Sequence, residues 1–189
     1  MGFKIISQPG EMPVSLDEAR TAARANASEM DVEIRAQVGA FTAQAEHIIG
    51  LAIINRTGRV TLDSFPASID IPKSATFGGA DVPMTPVFTV NEITYFDIDG
   101  NEQTLSTSLY SLGDDGVIEL VPGAEWPETQ VRSNAVKIDV VCGCGADDAS
   151  TPPAFKGYIL AKTREYFAPA GSPESPNLVR MLDSLKVYS

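Results

Sequence analysis

Thiols, imidazoles and cations are scarce in this sequence. Among 189 residues there are 2 cysteines, 1 histidine and 1 tryptophan, and 14 Lys plus Arg stand against 25 Asp plus Glu, for a formal charge of -11 and a pI near 4.4. A surface that grips phosphates needs the opposite sign, so the charge argues against DNA binding as a main function. Cys142 and Cys144 are one residue apart. On a strand they point to the same face, and a disulfide closing so short a ring would be strained, so both are read as reduced and buried. No further cysteine completes a metal site and His47 is distant in sequence, so neither a metal nor a cofactor is expected.

Long apolar runs are missing too. The longest, His47 to Ile54, is broken by Gly50 and falls far short of the roughly 20 residues that a membrane span needs. The first residues lack a basic segment followed by an apolar block, so no secretory signal is expected and the default compartment is the cytoplasm. Nucleotide-binding glycine motifs and the G-x-S-x-G nucleophile pattern are absent. Phe77-Gly78-Gly79-Ala80-Asp81 has glycines, but the prolines after it forbid the helix that a phosphate cradle requires. Asp97-Ile98-Asp99-Gly100-Asn101-Glu102 lacks the order and distal Glu of a calcium loop and reads as a hairpin turn. His47 is a lone helical histidine, and the acidic pairs Asp114-Asp115 and Asp147-Asp148 lie in turns, where solvation explains them. The chain is not read as an enzyme.

What is present is an ordinary globular composition, 43% hydrophobic and 21% charged, enough for a real core. Ser15 followed by Glu18 is a capping box opening a helix from Leu16 to Ala25. From Asp31, Ile34, Val38, Phe41, Ala45, Ile48 and Ala52 recur at spacings of 4, 3, 4, 3 and 4, one stripe of a long helix reaching Ile54, with Gly58 as its stop. Between 59 and 145 the period shortens. Val87 to Ile98 and Gln103 to Leu109 flank Asp99-Gly100 as a hairpin, and Val117–Val121 and Val136–Val141 read as strands. Pro152 and Pro153 open a further helix, the loop 168–176 is rich in Pro, Gly and Ser, and Leu178, Met181, Leu182 and Leu185 form a last amphipathic helix. The expected fold is α+β: a bundle of about four helices (1–58 and 150–189, one discontinuous domain) interrupted by an antiparallel β-rich insertion (59–149).

The order of these motifs carries a resemblance. The pieces are Pro13-Val-Ser-Leu-Asp-Glu-Ala-Arg20, Asn55-Arg-Thr-Gly58, Thr61-Leu-Asp-Ser-Phe-Pro66, Ile93-Thr-Tyr-Phe-Asp-Ile-Asp-Gly100 with Gln103-Thr-Leu105, Trp126-Pro127, Asn134-Ala-Val136, and Cys142-Gly-Cys-Gly145 before a proline-initiated helix. Together they resemble the head-tail connector (neck adaptor) proteins of long-tailed bacteriophages, in the variant with a β insertion. The chain has Cys144 where that pattern commonly has an aromatic, and its loop from Lys73 to Pro86 is longer. The resemblance implies a structural, non-catalytic virion protein that assembles in the host cytoplasm. It implies a self-associated ring, typically of twelve copies, between the portal protein and a stopper or tail-completion protein, with DNA passing through without specific binding. It further implies that C-terminal residues dock on the portal, here Leu178, Met181, Leu182, Leu185, Val187 and Tyr188.

The acidity suits a channel that repels phosphates, with many carboxylates expected along its lumen. The competing reading is a small carbohydrate-binding or hydrolytic module built on the β insertion, with a cleft around Tyr95, Tyr110 and Trp126.

Overall fold

Residues 2–25, 28–173 and 175–186 are described by the structure, a computed structural model. Val187 and Tyr188 lie outside them. The chain divides into two compact units, residues 1–8 with 56–143 and residues 9–55 with 144–189.

The first unit is built from alternation. Strands β1 (Gly2–Ser7), β2 (Arg56–Leu62), β6 (Val87–Phe96), β7 (Glu102–Thr104) and β10 (Val136–Cys142) form one antiparallel sheet in the order β1-β2-β10-β6-β7. β3 (Ser68–Asp70), β9 (Val117–Leu120) and β8 (Tyr110–Leu112) form a second, and β4 (Ser74–Phe77) and β5 (Ala80–Pro83) a hairpin. Along β2 and β10 every second residue is buried, the period-2 signature of a sheet with one dry face. That face contributes Val60, Val136, Ile138, Val140 and Ile93 to a core closed by Ile69, Ile118 and Tyr110 of the smaller sheet and by Ala75 and Met84. The other face carries charge: the Arg59 guanidinium donates to both oxygens of Asp139 at 2.6 and 2.7 Å, and Lys137 Nζ reaches Glu102 at 2.7 Å.

The second unit holds α1 (Leu16–Ala23), α2 (Asp31–Ile49), α3 (Pro153–Tyr166) and a 3-10 segment, Leu178–Leu185. Ser15 and Glu18 form the expected capping box at α1. Arg20 at the end of α1 donates to both oxygens of Asp31, at 2.8 and 2.6 Å, which ties it to the start of α2. α3 begins on Pro153, where a missing N–H costs nothing, and buries Phe155, Tyr158, Ile159 and Thr163. The core is completed by Ile34, Val38, Ala45, Ile49, Ile53, Ile54 and Leu182.

The expected helical bundle is corrected here. Among the described residues three α-helices, one of only 8 residues, accompany ten strands in three antiparallel sheets, a mixed α+β fold in which no four-helix bundle forms. The reasons are local. α2 ends at Ile49 because Gly50 adopts φ 74 and its N–H caps Glu46 O. Leu51–Asn55 then continues outside any helix, so Ala52 is buried but does not belong to the helical stripe. Gly58, expected as a helix stop, sits inside β2. Gly2–Ser7, to which the sequence pattern assigns no element, is an edge strand, and Leu178–Leu185 winds as a 3-10 helix.

Candidate functional site

Among the described residues no reactive centre emerges from the side chains. Trp126 and Phe65 stack in parallel at 4.7 Å, and Tyr95 meets Phe65 edge-on at 5.7 Å. All three are half-buried against the core of the β unit and Tyr110 is buried in it, so the residues of the competing sugar-cleft reading form a packed aromatic cluster. Cys142 is buried, its thiol pushed up to about 12 by desolvation; burial, and then the negative charge of Glu46, raise Cys144 as well. Neither is an activated nucleophile. Among the described residues no group of three His, Cys, Asp or Glu is placed to hold a metal ion, and no helix is long and apolar enough to cross a membrane.

The Asp97 carboxylate, a candidate calcium ligand by motif, is spent on its own turn. It accepts the Gln103 amide at 2.9 Å and the backbone N–H groups of Asn101 at 2.8 Å and Asp99 at 3.1 Å, which hold its pKa below the usual range. An acidic concavity of about 400 Å³ is lined by Ser111, Asp114, Asp115 and Glu119 on the β8–β9 hairpin.

Surfaces that need covering are more informative. On α2 the stripe divides: Ile34, Val38 and Ala45 are buried, whereas Phe41 and Ile48 are half-buried. Ile49, missed by the spacing rule, and Glu46 complete the buried face. The Glu46 carboxylate accepts the Ile53 N–H at 2.7 Å, fixing the segment that follows the helix. The opposite face is unusual. Residues 36–45 carry no charge, and Ala36, Gly39, Ala40, Ala43 and Gln44 are exposed. A solvent-facing helix of an acidic protein normally places charges there. At its start Val32 is 82% exposed.

The C-terminal segment is divided in a similar way. Leu182 is wholly buried in its own unit, Leu178 and Leu185 are half-buried, and Met181 and its neighbour Val179 are exposed at 39% and 42%. Ser175 anchors the approach to this segment, its N–H donating to Glu165 at 2.6 Å. In the β unit, Phe77 at the β4–β5 tip, Phe88 on β6, Ile98 in the β6–β7 turn and Val131 are exposed apolar points that the sequence pattern did not single out.

No protein-family model matches the chain, and no curated protein sequence does. Solved structures do match. The fold is shared with a chain in the neck of an empty gene transfer agent (GTA) particle computed with C6 symmetry, with a TM-score of 0.70 and 19% identity over 100% of this chain and 97% of that one. A chain in the virion of the native GTA particle matches with a TM-score of 0.66 at 19% identity, and one in the native neck computed with C12 symmetry with 0.62 at 20%, at the same coverage.

Proposed function

We propose that this chain is a structural, non-catalytic ring protein in the neck of a phage-like particle. It joins the portal to a stopper or tail-completion protein, and twelve copies surround a channel through which DNA passes. One observation carries the reading: the similarity to GTA neck chains extends over the whole chain and nearly the whole of each neighbour, both units included. The symmetries of those necks make a ring of copies the natural expectation for a chain of the same fold.

The surface chemistry supports the same reading. The uncharged face of α2 lets a neighbouring backbone approach closely, and in a ring it is covered by the next copy. The exposed side of the C-terminal segment, Val179 and Met181, is free for a component above or below. A net charge of -11 keeps the passing phosphates from adhering.

Deleting this chain from a producing strain tests the proposal. The expected phenotype is DNA-filled heads and separate tails, rejoined when the chain is supplied. Normal joined particles from the deletion strain would refute it.

A further inference from the structure

β1 pairs with a strand that it does not adjoin in sequence. Its partner β2 begins at Arg56, and residues 9–55 between them belong to the other unit. No tight turn ties the two strands, unlike β4 to β5 and β8 to β9, which are joined by short hairpin loops. β1 is seated by its ladder, from Gly2↔Thr61 to Ile5↔Gly58, and by Phe3 and Ile5, half-buried against the β core. The Phe3 ring fills the notch that Gly58 leaves beside the Met84 methyl.

The seat ends abruptly. Ile6 is skipped by the register and is 46% exposed. From there to Val14, which is buried in the helical core, the chain runs through Gln8-Pro9-Gly10-Glu11-Met12-Pro13. Among the described residues none of these makes a backbone–backbone hydrogen bond. Pro9 and Pro13 have no N–H to give, and they bias Gln8 and Met12 before them to extended backbone. The connection is thus a stretched hinge, able to reach roughly 20 Å at about 3.3–3.6 Å per residue. If β1 left, β2 would become a bare edge with an open notch. A strand that refills it must run antiparallel with an aromatic opposite Val60 and an apolar residue opposite Gly58. The β1 of a second copy of this chain meets that requirement in full.

We propose that in the assembled ring β1 of each copy pairs with β2 of the next copy, in the register it has with its own. Each copy then donates one strand and receives one, a head-to-tail exchange that closes with the ring and conserves every β1–β2 hydrogen bond. In the free chain β1 occupies its own seat. The proposal rests on the ring of the neck reading and adds the element that links its copies.

Two single variants test the exchange without altering the hinge. Gly2 and Thr61 are register partners, and a Cβ on Gly2 would stand 2.9 Å from Thr61 Oγ1, so cysteines at these positions are placed to form a disulfide across one seat. Gly2→Cys and Thr61→Cys each carry half of that pair, and an equal mixture can complete it only between copies. The mixture is bound to heads purified from a strain lacking this chain, oxidised, and run on denaturing gels without reductant. A covalent dimer is expected, at least about tenfold above that from either variant alone, and lost on reduction. The double variant, oxidised as dilute free chain, should close within one copy, which shows that the two positions can be joined; if it stays open, the register is wrong and the proposal falls with it. Absence of the dimer from the head-bound mixture overturns the exchange and leaves the neck reading standing. Failure of the unaltered chain to bind heads counts against the neck reading instead. The exchange is then read from the concentrated free mixture, where the dimer supports it and its absence overturns it.

Discussion

Phe3 of β1 lies over Gly58 of β2, so close that a Cβ on Gly58 would stand 2.6 Å from Phe3 Cε2 and 2.7 Å from the Met84 methyl. The bare glycine is what lets an edge strand and the segment after β5 close over the same point of the sheet. Gly58→Ala should therefore destabilise the β unit by about 1–2 kcal/mol through overpacking. In a double-mutant cycle with Phe3→Ala the two losses should be less than additive, since removing the ring makes room for the methyl. Denaturant unfolding of the four proteins measures this.

The uncharged face of α2 predicts a separation between folding and assembly. Ala40→Arg places a cation on an exposed helical position and should change stability by no more than about 0.5 kcal/mol. It should nevertheless abolish ring formation, because burying an unpaired guanidinium between copies is prohibitive. Thermal melting and electron microscopy of the same preparation check both halves.

Acidification should loosen the helical unit. The hydrogen bonds from Arg20 hold the Asp31 carboxyl below its ordinary range, and the Ser15 backbone N–H does the same for Glu18. A carboxylate depressed in the folded state contributes stability above its unfolded pKa and loses it as pH falls through the folded value. The melting temperature should thus fall from about pH 4 downward, and Asp31→Asn should flatten that dependence while lowering stability at pH 7.

Trp126 predicts a structural and not a ligand phenotype. Its stacking on Phe65 makes Trp126→Ala cost about 3 kcal/mol. Titration of the unaltered chain with oligosaccharides should leave tryptophan fluorescence unchanged.

Charge supplies a further prediction. The chain should not be retained on DNA even at low salt, whereas reversing Asp114, Asp115 and Glu119 to Lys should raise DNA affinity at least about tenfold. Electrophoretic mobility shifts at two salt concentrations measure the difference.

The sequence made some elements easy to read and concealed others, each for a physical reason. Ser15 and Glu18 announced α1 because the capping box is local chemistry. Val136, Ile138 and Val140 announced β10 because its inward positions are all apolar. β2 was hidden: its inward positions begin with Arg56 and Gly58, and no pattern rule assigns those to a dry face. The end of α2 was misread because Leu51–Ile54 is apolar in either winding, and only the backbone turn at Gly50 decides between them. Gly78-Gly79, which the prolines that follow rule out as a phosphate cradle, is the turn of the β4–β5 hairpin. For the candidate surfaces, the spacing picked out Ile34, Val38 and Ala45, which are buried on α2, and Leu182 on the last segment, but it passed over the buried Ile49 and included the exposed Met181. Period did not reveal the uncharged outer face of α2, which is recognised by exposure.

The most direct test of the neck assignment is electron cryomicroscopy of heads from a strain lacking this chain, after incubation with the purified protein. The account predicts a twelve-fold ring of added density at the portal vertex, into which the two units fit. A bare vertex, with the chain remaining monomeric in solution, would contradict it.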